Sequence, residues 1–278
     1  MDPTIQREIE SFARIYRLRL PDRQRASLAG DLAGKRTGSS IEYQDRKDYV
    51  PGDDIRHVDW RAFARNDRLT IKLYREEISP RVDIIADTSN SMGSSDEKSL
   101  MLGHIVFFFA LLAQKVHATV HLYNLGSDLA PIRHALDIEQ MERSRQDSPL
   151  PLLHRAPFVR RGGIKILLSD FLFPFEPREL RSIFSGADHL IMVQLLSKFE
   201  ANPEAGGEWR LQDAETGDFL DVSLNRETVS GYKERLEHLQ EDMSRQMQMA
   251  QGGFAVATES DSLSACMRRF LHAGIIET

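Results

Sequence analysis

From Val82 onward, short apolar runs alternate with segments whose apolar residues recur every three or four positions. Runs over 82–87, 118–125, 163–170, 188–196 and 253–258 read as strands. Helical periodicity falls at about 97–116, 137–144, 175–185, 225–250 and 260–273. This alternation predicts an α/β fold, a mostly parallel sheet with crossover helices on both faces. Runs such as Ile164-Lys165-Ile166-Leu167-Leu168 lack in-and-out alternation, as expected of strands covered on both sides. The segment 97–116 carries Leu102, Ile105, Val106, Phe108, Phe109 and Leu112; it is apolar nearly all round and should be deeply buried. Residues 207–224 interrupt the pattern. There Trp209–Asp213 and Phe219–Val222 flank Glu215-Thr216-Gly217-Asp218, which predicts a β-hairpin at the sheet margin. Upstream, Ile5, Ile9, Phe12 and Tyr16 predict an amphipathic helix over 4–20, ended by Pro21. The polar stretch 21–40, with Gly30, Gly34 and Gly38, reads as a loop, giving segments 1–35, 36–80 and 81–278.

Composition narrows the classes of function. A hydrophobic fraction of 41% in 278 residues supports a packed core, and 28% charged residues is ordinary for a globular chain. The net charge of −6 argues against general nucleic-acid binding through phosphate neutralisation. Cys266 is the only cysteine, which rules out an intramolecular disulfide and a cysteine-based zinc site; core packing is its expected role. The longest apolar run, Ile105 to Ala113, is well short of the ~20 residues of a membrane helix. The amino terminus lacks the apolar core of a signal peptide, so a cytoplasmic location without membrane insertion is expected.

Candidate chemistry gathers at strand ends. The run Val82–Ala86 ends in Asp87, and hydroxyls follow at alternate positions, Ser89 and Ser91. In open α/β sheets, ligands bind in the crevice outside the carboxyl ends of the strands, where this loop falls. One carboxylate with two neutral hydroxyls suits a hard divalent cation, Mg²⁺ or Mn²⁺, which takes oxygen ligands and keeps waters. The strand 163–170 finishes in Ser169-Asp170, bringing a second carboxylate to the same edge. Between them, Ser148 before Pro149 either supplies a third hydroxyl or starts a short helix. The fragment Gly30–Thr37 fails as a phosphate loop, because three residues separate its glycines and Arg36 stands in place of Ser/Thr. The histidines show no zinc spacing, and no nucleophile elbow surrounds Ser89. The methionines of 225–250 read as core.

These pieces resemble the von Willebrand factor A fold and its metal-ion-dependent adhesion site. By position, the resemblance assigns metal ligation to Asp87, Ser89, Ser91 and Asp170. That family has a threonine in a second loop; this chain has none between Thr119 and Thr216, and Ser148 is the substitute. Phe171 follows Asp170 where many members have glycine. Upstream, Tyr49-Val50-Pro51-Gly52-Asp53-Asp54-Ile55-Arg56-His57-Val58-Asp59-Trp60 resembles the hallmark of the bacterial family catalogued as domain of unknown function 58. Its members carry this segment before a von Willebrand A-like domain, and the resemblance covers roughly residues 36–275. It implies a MoxR-type AAA+ ATPase as partner and a chaperone-like or regulatory, non-enzymatic role.

Physically, Pro51-Gly52 fits a type II turn. Asp53, Asp54, Arg56 and Asp59 then form either a docking site for the ATPase or internal ion pairs with neighbouring arginines, and Trp60 is expected to pack. The segment 41–75 is too rich in apolar residues for a solvated tether and is expected to pack on the main domain. The alternative function is a metal-dependent hydrolase using the same crevice, for which the sequence offers no general base beyond Asp170 and distant histidines.

Overall fold

The computed structural model describes residues 1–21, 42–75, 80–145 and 148–278. The loop expected over 21–40 and the fragment Gly30–Thr37 lie almost wholly outside these residues. The chain divides into two units, one of residues 1–21 with 80–278 and one of residues 22–79.

The larger unit is α/β. Strands β4 (Arg81–Asp87), β5 (Thr119–Leu125), β6 (Leu129–Ile132), β7 (Ile164–Ser169), β8 (His189–Leu196) and β11 (Gly253–Thr258) form one sheet in the order β11-β8-β7-β4-β5-β6. Every pairing is parallel except β5 with β6. Strand order therefore runs outward from β4 in one direction and from β7 in the other, so the order reverses between them. Crevices form at such a reversal, because the flanking connections leave to opposite faces.

Helices cover both faces. The long helix α3 (Asp96–Lys115) is capped at its start by Ser95, whose hydroxyl accepts the Lys98 N–H. As its all-round apolarity predicts, it is deeply buried, with Leu102, Val106, Phe109 and Leu112 at or near zero exposure. Phe108 and Phe109 meet Phe270 of helix α8 (Leu263–His272) at ring separations of 6.4 and 5.5 Å. On the opposite face, α4 (Leu150–Arg155), α5 (Pro177–Ile183) and α7 (Arg226–Met249) bring Leu153, Leu180, Met243 and Met247 against Ile85, Leu167 and Met192. The methionine stripe of α7 is thus core except Met249, which is exposed, and Cys266 is buried. Two charges lie inside the sheet, where Lys165 of β7 and Asp83 of β4 bond directly and Arg81 joins the same carboxylate at 2.8 Å. Pairing is what makes burial of such groups tolerable.

Several elements depart from the sequence reading. The amino-terminal helix α1 spans Pro3–Ile15 rather than 4–20. Beyond it the Arg-Leu-Arg-Leu run at 17–20 alternates with period two, burying Leu18 and Leu20, and β1 (Arg17–Leu18) pairs antiparallel with β12 (Ile276–Glu277). Residues 1–21 therefore belong to the α/β unit, and Lys115 secures the end of α1 by donating to the carbonyls of Ala13, Arg14 and Tyr16 at 2.7–2.9 Å. The segment read as a helix over 137–144 is a 3₁₀ turn at Ala135–Gln140 that leaves the helical conformation at Met141. Strand β6 carries little sequence signal because it is short, at an edge, and contains Pro131. The hairpin β9 (Glu208–Gln212) and β10 (Phe219–Ser223) forms as expected, as a two-stranded antiparallel sheet of its own.

In the smaller unit, β2 (Glu42–Asp48) and β3 (Thr70–Arg75) pair antiparallel around helix α2 (Trp60–Asn66). Gly52 has φ +111° and Val50 C=O accepts the Asp53 N–H at 3.0 Å, the turn that Pro51-Gly52 predicts.

Candidate metal centre

Asp87 is the last residue of β4 and Asp170 the first beyond β7, so the order reversal sets the two carboxylates side by side. Both are buried. Asp87 Oδ1 accepts the Ser89 N–H at 2.9 Å, and Oδ2 accepts the Ser169 hydroxyl at 2.6 Å. The Ser89 and Ser91 hydroxyls lie 3.1 Å apart. Asp87, Ser89, Ser91 and Asp170 all line one cavity of about 760 Å³. Burial, and next the charge of Asp170, push the Asp87 carboxyl up to about 6, against its hydrogen bonds.

Phe171 turns the chain away from Asp170 with φ +52°, the left-handed conformation that glycine adopts freely. Such strain costs on the order of 1–3 kcal/mol. It is offset here by a fully buried ring packed near Phe173 and Phe175.

Ser148 stands apart. Its hydroxyl faces the Leu150 N–H at 3.4 Å, at the start of α4, and only its neighbour Pro149 reaches the cavity wall. The second-loop residue that pairs with the first loop is Ser144, whose C=O accepts the Asn90 N–H at 2.9 Å while its N–H donates to Thr88 C=O at 3.1 Å. The Ser144 hydroxyl points elsewhere, accepting from Ser127 N–H at 2.7 Å.

Several charged groups of the site carry no local sequence signal. Lys98, on the first turn of α3, is fully buried, and its ammonium donates to Ser91 C=O at 3.0 Å, Asp170 Oδ2 at 3.1 Å and Glu200 at 2.8–2.9 Å. It ties together the loops that follow β4, β7 and β8. Glu200, on helix α6 (Lys198–Ala201), and Glu259, beyond β11, also line the cavity, and Glu259 bonds the Ser95 hydroxyl and the Lys198 N–H. The Arg143 guanidinium lies within electrostatic reach of Asp87 and bonds the Ser99 hydroxyl.

The donor set fits a small hard cation. All four side chains offer oxygen, the donor that Mg²⁺ takes, and the two serine hydroxyls hydrogen-bond each other at 3.1 Å. The carboxylates of Asp87, Asp170, Glu200 and Glu259 outnumber the Lys98 ammonium and the Arg143 guanidinium, a surplus that favours added positive charge. Among the described residues, no group of three or more His, Cys, Asp or Glu is arranged to hold a metal ion.

The four candidates of the hallmark segment lie in the smaller unit. Asp54 pairs with Arg56 at 2.7 Å and Asp53 with Lys47 at 2.7 Å, so local ion pairs do form. Asp59 is buried and caps α2, accepting the N–H groups of Arg61 and Ala62 at 3.1 Å each. Trp60, expected to pack, is 60% exposed, with its ring edge-on to Phe63. No helix among the described residues is long and apolar enough to cross a membrane.

Two solved structures are similar to the chain at a distance. One is a conserved hypothetical protein BatB from Bacteroides thetaiotaomicron, at 13% identity and TM-score 0.36, and the other an aerotolerance-related membrane protein from Bacteroides fragilis, at 13% identity and TM-score 0.37. Each alignment covers 70% of this chain and 98% of the other. Similarity at this level bears on neither architecture nor function. No curated protein matches. The family described as protein of unknown function DUF58 matches residues 45–242, well over half of the chain, a span that takes in the Pro51–Trp60 segment and both strand-end carboxylates. The chain belongs to the DUF58 family.

Proposed function

We propose that this protein is a non-enzymatic interaction module of the von Willebrand factor A type. In this reading Asp87, Ser89, Ser91 and Asp170 hold Mg²⁺ or Mn²⁺ and present it to a carboxylate of a partner, a MoxR-type AAA+ ATPase or its client, in the cytoplasm. The observation that carries the reading is the convergence of two buried carboxylates and two hydroxyls on one cavity at the reversal of strand order. A bound divalent ion would supply an electrophilic coordination position for that carboxylate. The chain's own residues do the rest. Asp87 supplies charge while Ser89 N–H and Ser169 fix its orientation, the serine hydroxyls offer neutral oxygens, and Lys98 holds Asp170 in place.

The exposed side chains Val50, Ile55 and Trp60, beside Asp53, Asp54 and Arg56, favour a second contact with the ATPase. Exposed apolar residues next to charged ones are the usual composition of a docking patch. Asp59 contributes by holding α2 rather than by touching the partner.

One observation speaks for the hydrolase alternative, since a carboxyl near 6 lies in the range of a general base. The Ser89 N–H and Ser169 bonds orient the same oxygens for a cation as for a proton, and the neighbouring hydroxyls of Ser89 and Ser91 favour the cation and with it the interaction reading.

The partner claim is tested by retaining a purified MoxR-type ATPase on immobilised protein at constant Mg²⁺ and nucleotide. Wild type should retain the ATPase, and Asp87→Ala should retain at least tenfold less. Equal retention by the two, or none by either, contradicts the proposal.

A further inference from the structure

We propose that the outer edge of β11 is a docking groove for an extended, acidic segment of a partner protein, which joins the central sheet as a further strand. The groove shares no lining residue with the strand-end crevice and needs no metal there.

The two edges of the sheet are built differently. At one, β6 has four residues and contains Pro131, a strand too short and interrupted to template another. At the other, the six residues of β11 run in unbroken register with β8 and include no proline and no charged side chain. Among the described residues, no strand pairs with the outer side of β11. A regular, uncharged edge of this kind is a template for another chain.

Three hydrogen bonds fix which backbone groups face outward. Glu259 N–H donates inward to Leu196 C=O at 3.0 Å, whereas the N–H of its neighbour Thr258 points outward to Asp261 Oδ2 at 2.7 Å. Backbone direction repeats at every second residue of a strand, so Val256 and Phe254 face outward as well. Val256 C=O accepts from Arg269 at 2.9 Å, and Arg269 is paired in turn with Asp261. These two side chains close the carboxyl-terminal half of the edge. Among the described residues, nothing takes the N–H and C=O of Phe254 or the N–H of Val256, which are the groups an added strand would bond.

The walls say what kind of strand fits. Helices α7 and α8 flank this stretch of β11 and enclose with it a groove of about 960 Å³. Leu236 and Ala265 give the groove apolar surface, while Lys233 of α7 and Arg268 of α8 bring a cation to it from either helix. Neither cation forms an ion pair with a described residue, and Glu237 is the one carboxylate among the described lining residues. In a chain of net charge −6, a groove with surplus positive charge selects an acidic segment. The same charge disfavours a second copy of this chain, because β11 against β11 would bring two basic linings together. Main-chain bonds would supply the affinity of the added strand, and the two cations its preference.

Selection of a phage-displayed library of random nonapeptides on the immobilised full chain tests the inference. It is run in chelator, so that no metal in the crevice can capture acidic peptides. The selected peptides should be enriched in Asp and Glu over the starting library. The most enriched one, made as a fluorescent peptide, should bind Val256→Pro at least tenfold more weakly than wild type. Proline there removes an N–H that faces outward, so the ladder with β8 is kept; wild-type hydrogen exchange in the core strands shows that the variant is folded. Lys233→Glu/Arg268→Glu leaves the edge itself intact and should also weaken binding at least tenfold. The inference fails if no peptide is enriched, if the enriched peptides are not acidic, or if Val256→Pro binds them as wild type does. It fails too if acidic peptides are selected only in Mg²⁺ and are lost with Asp87→Ala, a result that leaves the crevice reading standing.

Discussion

Replacing Lys98 with methionine should lower the unfolding free energy by about 3–5 kcal/mol, the cost of breaking a buried ion pair by removing one partner. The ammonium is fully buried and spends its donors on Ser91 C=O, Asp170 and Glu200. Methionine fills most of the volume, so the loss is electrostatic: Asp170 and part of Glu200 are left buried beside Asp87 without a counter-charge. Urea denaturation at pH 7 in chelator measures the cost. Adding Asp170→Asn to the variant should recover part of it, because one of the stranded charges is removed. Mg²⁺ should stabilise Lys98→Met more than wild type, since the ion can take over the neutralisation. A cost below about 1 kcal/mol, typical of exposed pairs, contradicts the account of Lys98 as the resident cation.

A second large effect follows from Asp87. Its carboxyl is raised to about 6 by burial and by Asp170, whereas an unfolded aspartate titrates near 3.9. Between those values the folded protein binds more protons than the unfolded chain, so stability falls as pH rises. The contribution is complete below about pH 4 and is lost as pH passes through about 6. A difference near two pKa units amounts to roughly 3 kcal/mol. In chelator, the stability difference between Asp87→Asn and wild type should therefore grow in favour of the variant from pH 4 to pH 7. Saturating Mg²⁺ should erase that advantage, because the ion favours the charged form. A difference that is flat with pH in chelator contradicts this picture of the carboxylate pair. These two effects have opposite origins: Lys98 compensates Asp170, and Asp87 is left the costlier charge.

The sheet was legible because its strands are buried on both faces and read as unbroken apolar runs. Val82–Ala86, Ile164–Leu168 and Leu190–Val193 all fall inside observed strands, and 253–258 matches β11 end to end. Elements that depend on distant partners were not legible. The two-residue strands β1 and β12 exist only because each finds the other, and β6 is held by β5 despite Pro131. The same division runs through the site. Asp87, Ser89, Ser91 and Asp170 stand where apolar runs stop, so a local pattern marks them. Lys98 follows Asp96-Glu97 in the first turn of α3, and nothing in that local run of charges marks it for burial. Its burial is decided by Asp170 and Glu200, 72 and 102 positions away. Glu215 sits in what reads as an ordinary hairpin turn, and only the fold brings it to Ser91. Phe171 shows the reverse case: a position where glycine would be easiest is held by a residue whose ring fills the core.

The central claim is that Asp87, Ser89, Ser91 and Asp170 hold one divalent cation. Titration of Mn²⁺ followed by electron paramagnetic resonance reads free against bound ion directly. The measurement compares wild type with Ser89→Ala/Ser91→Ala, a pair of changes that leaves every carboxylate and Lys98 in place. One Mn²⁺ should bind per wild-type chain and be displaced by excess Mg²⁺, with affinity at least tenfold weaker in the double variant, about 1.4 kcal/mol or more. Absence of bound Mn²⁺ at millimolar concentration, or equal binding by the two proteins, contradicts it.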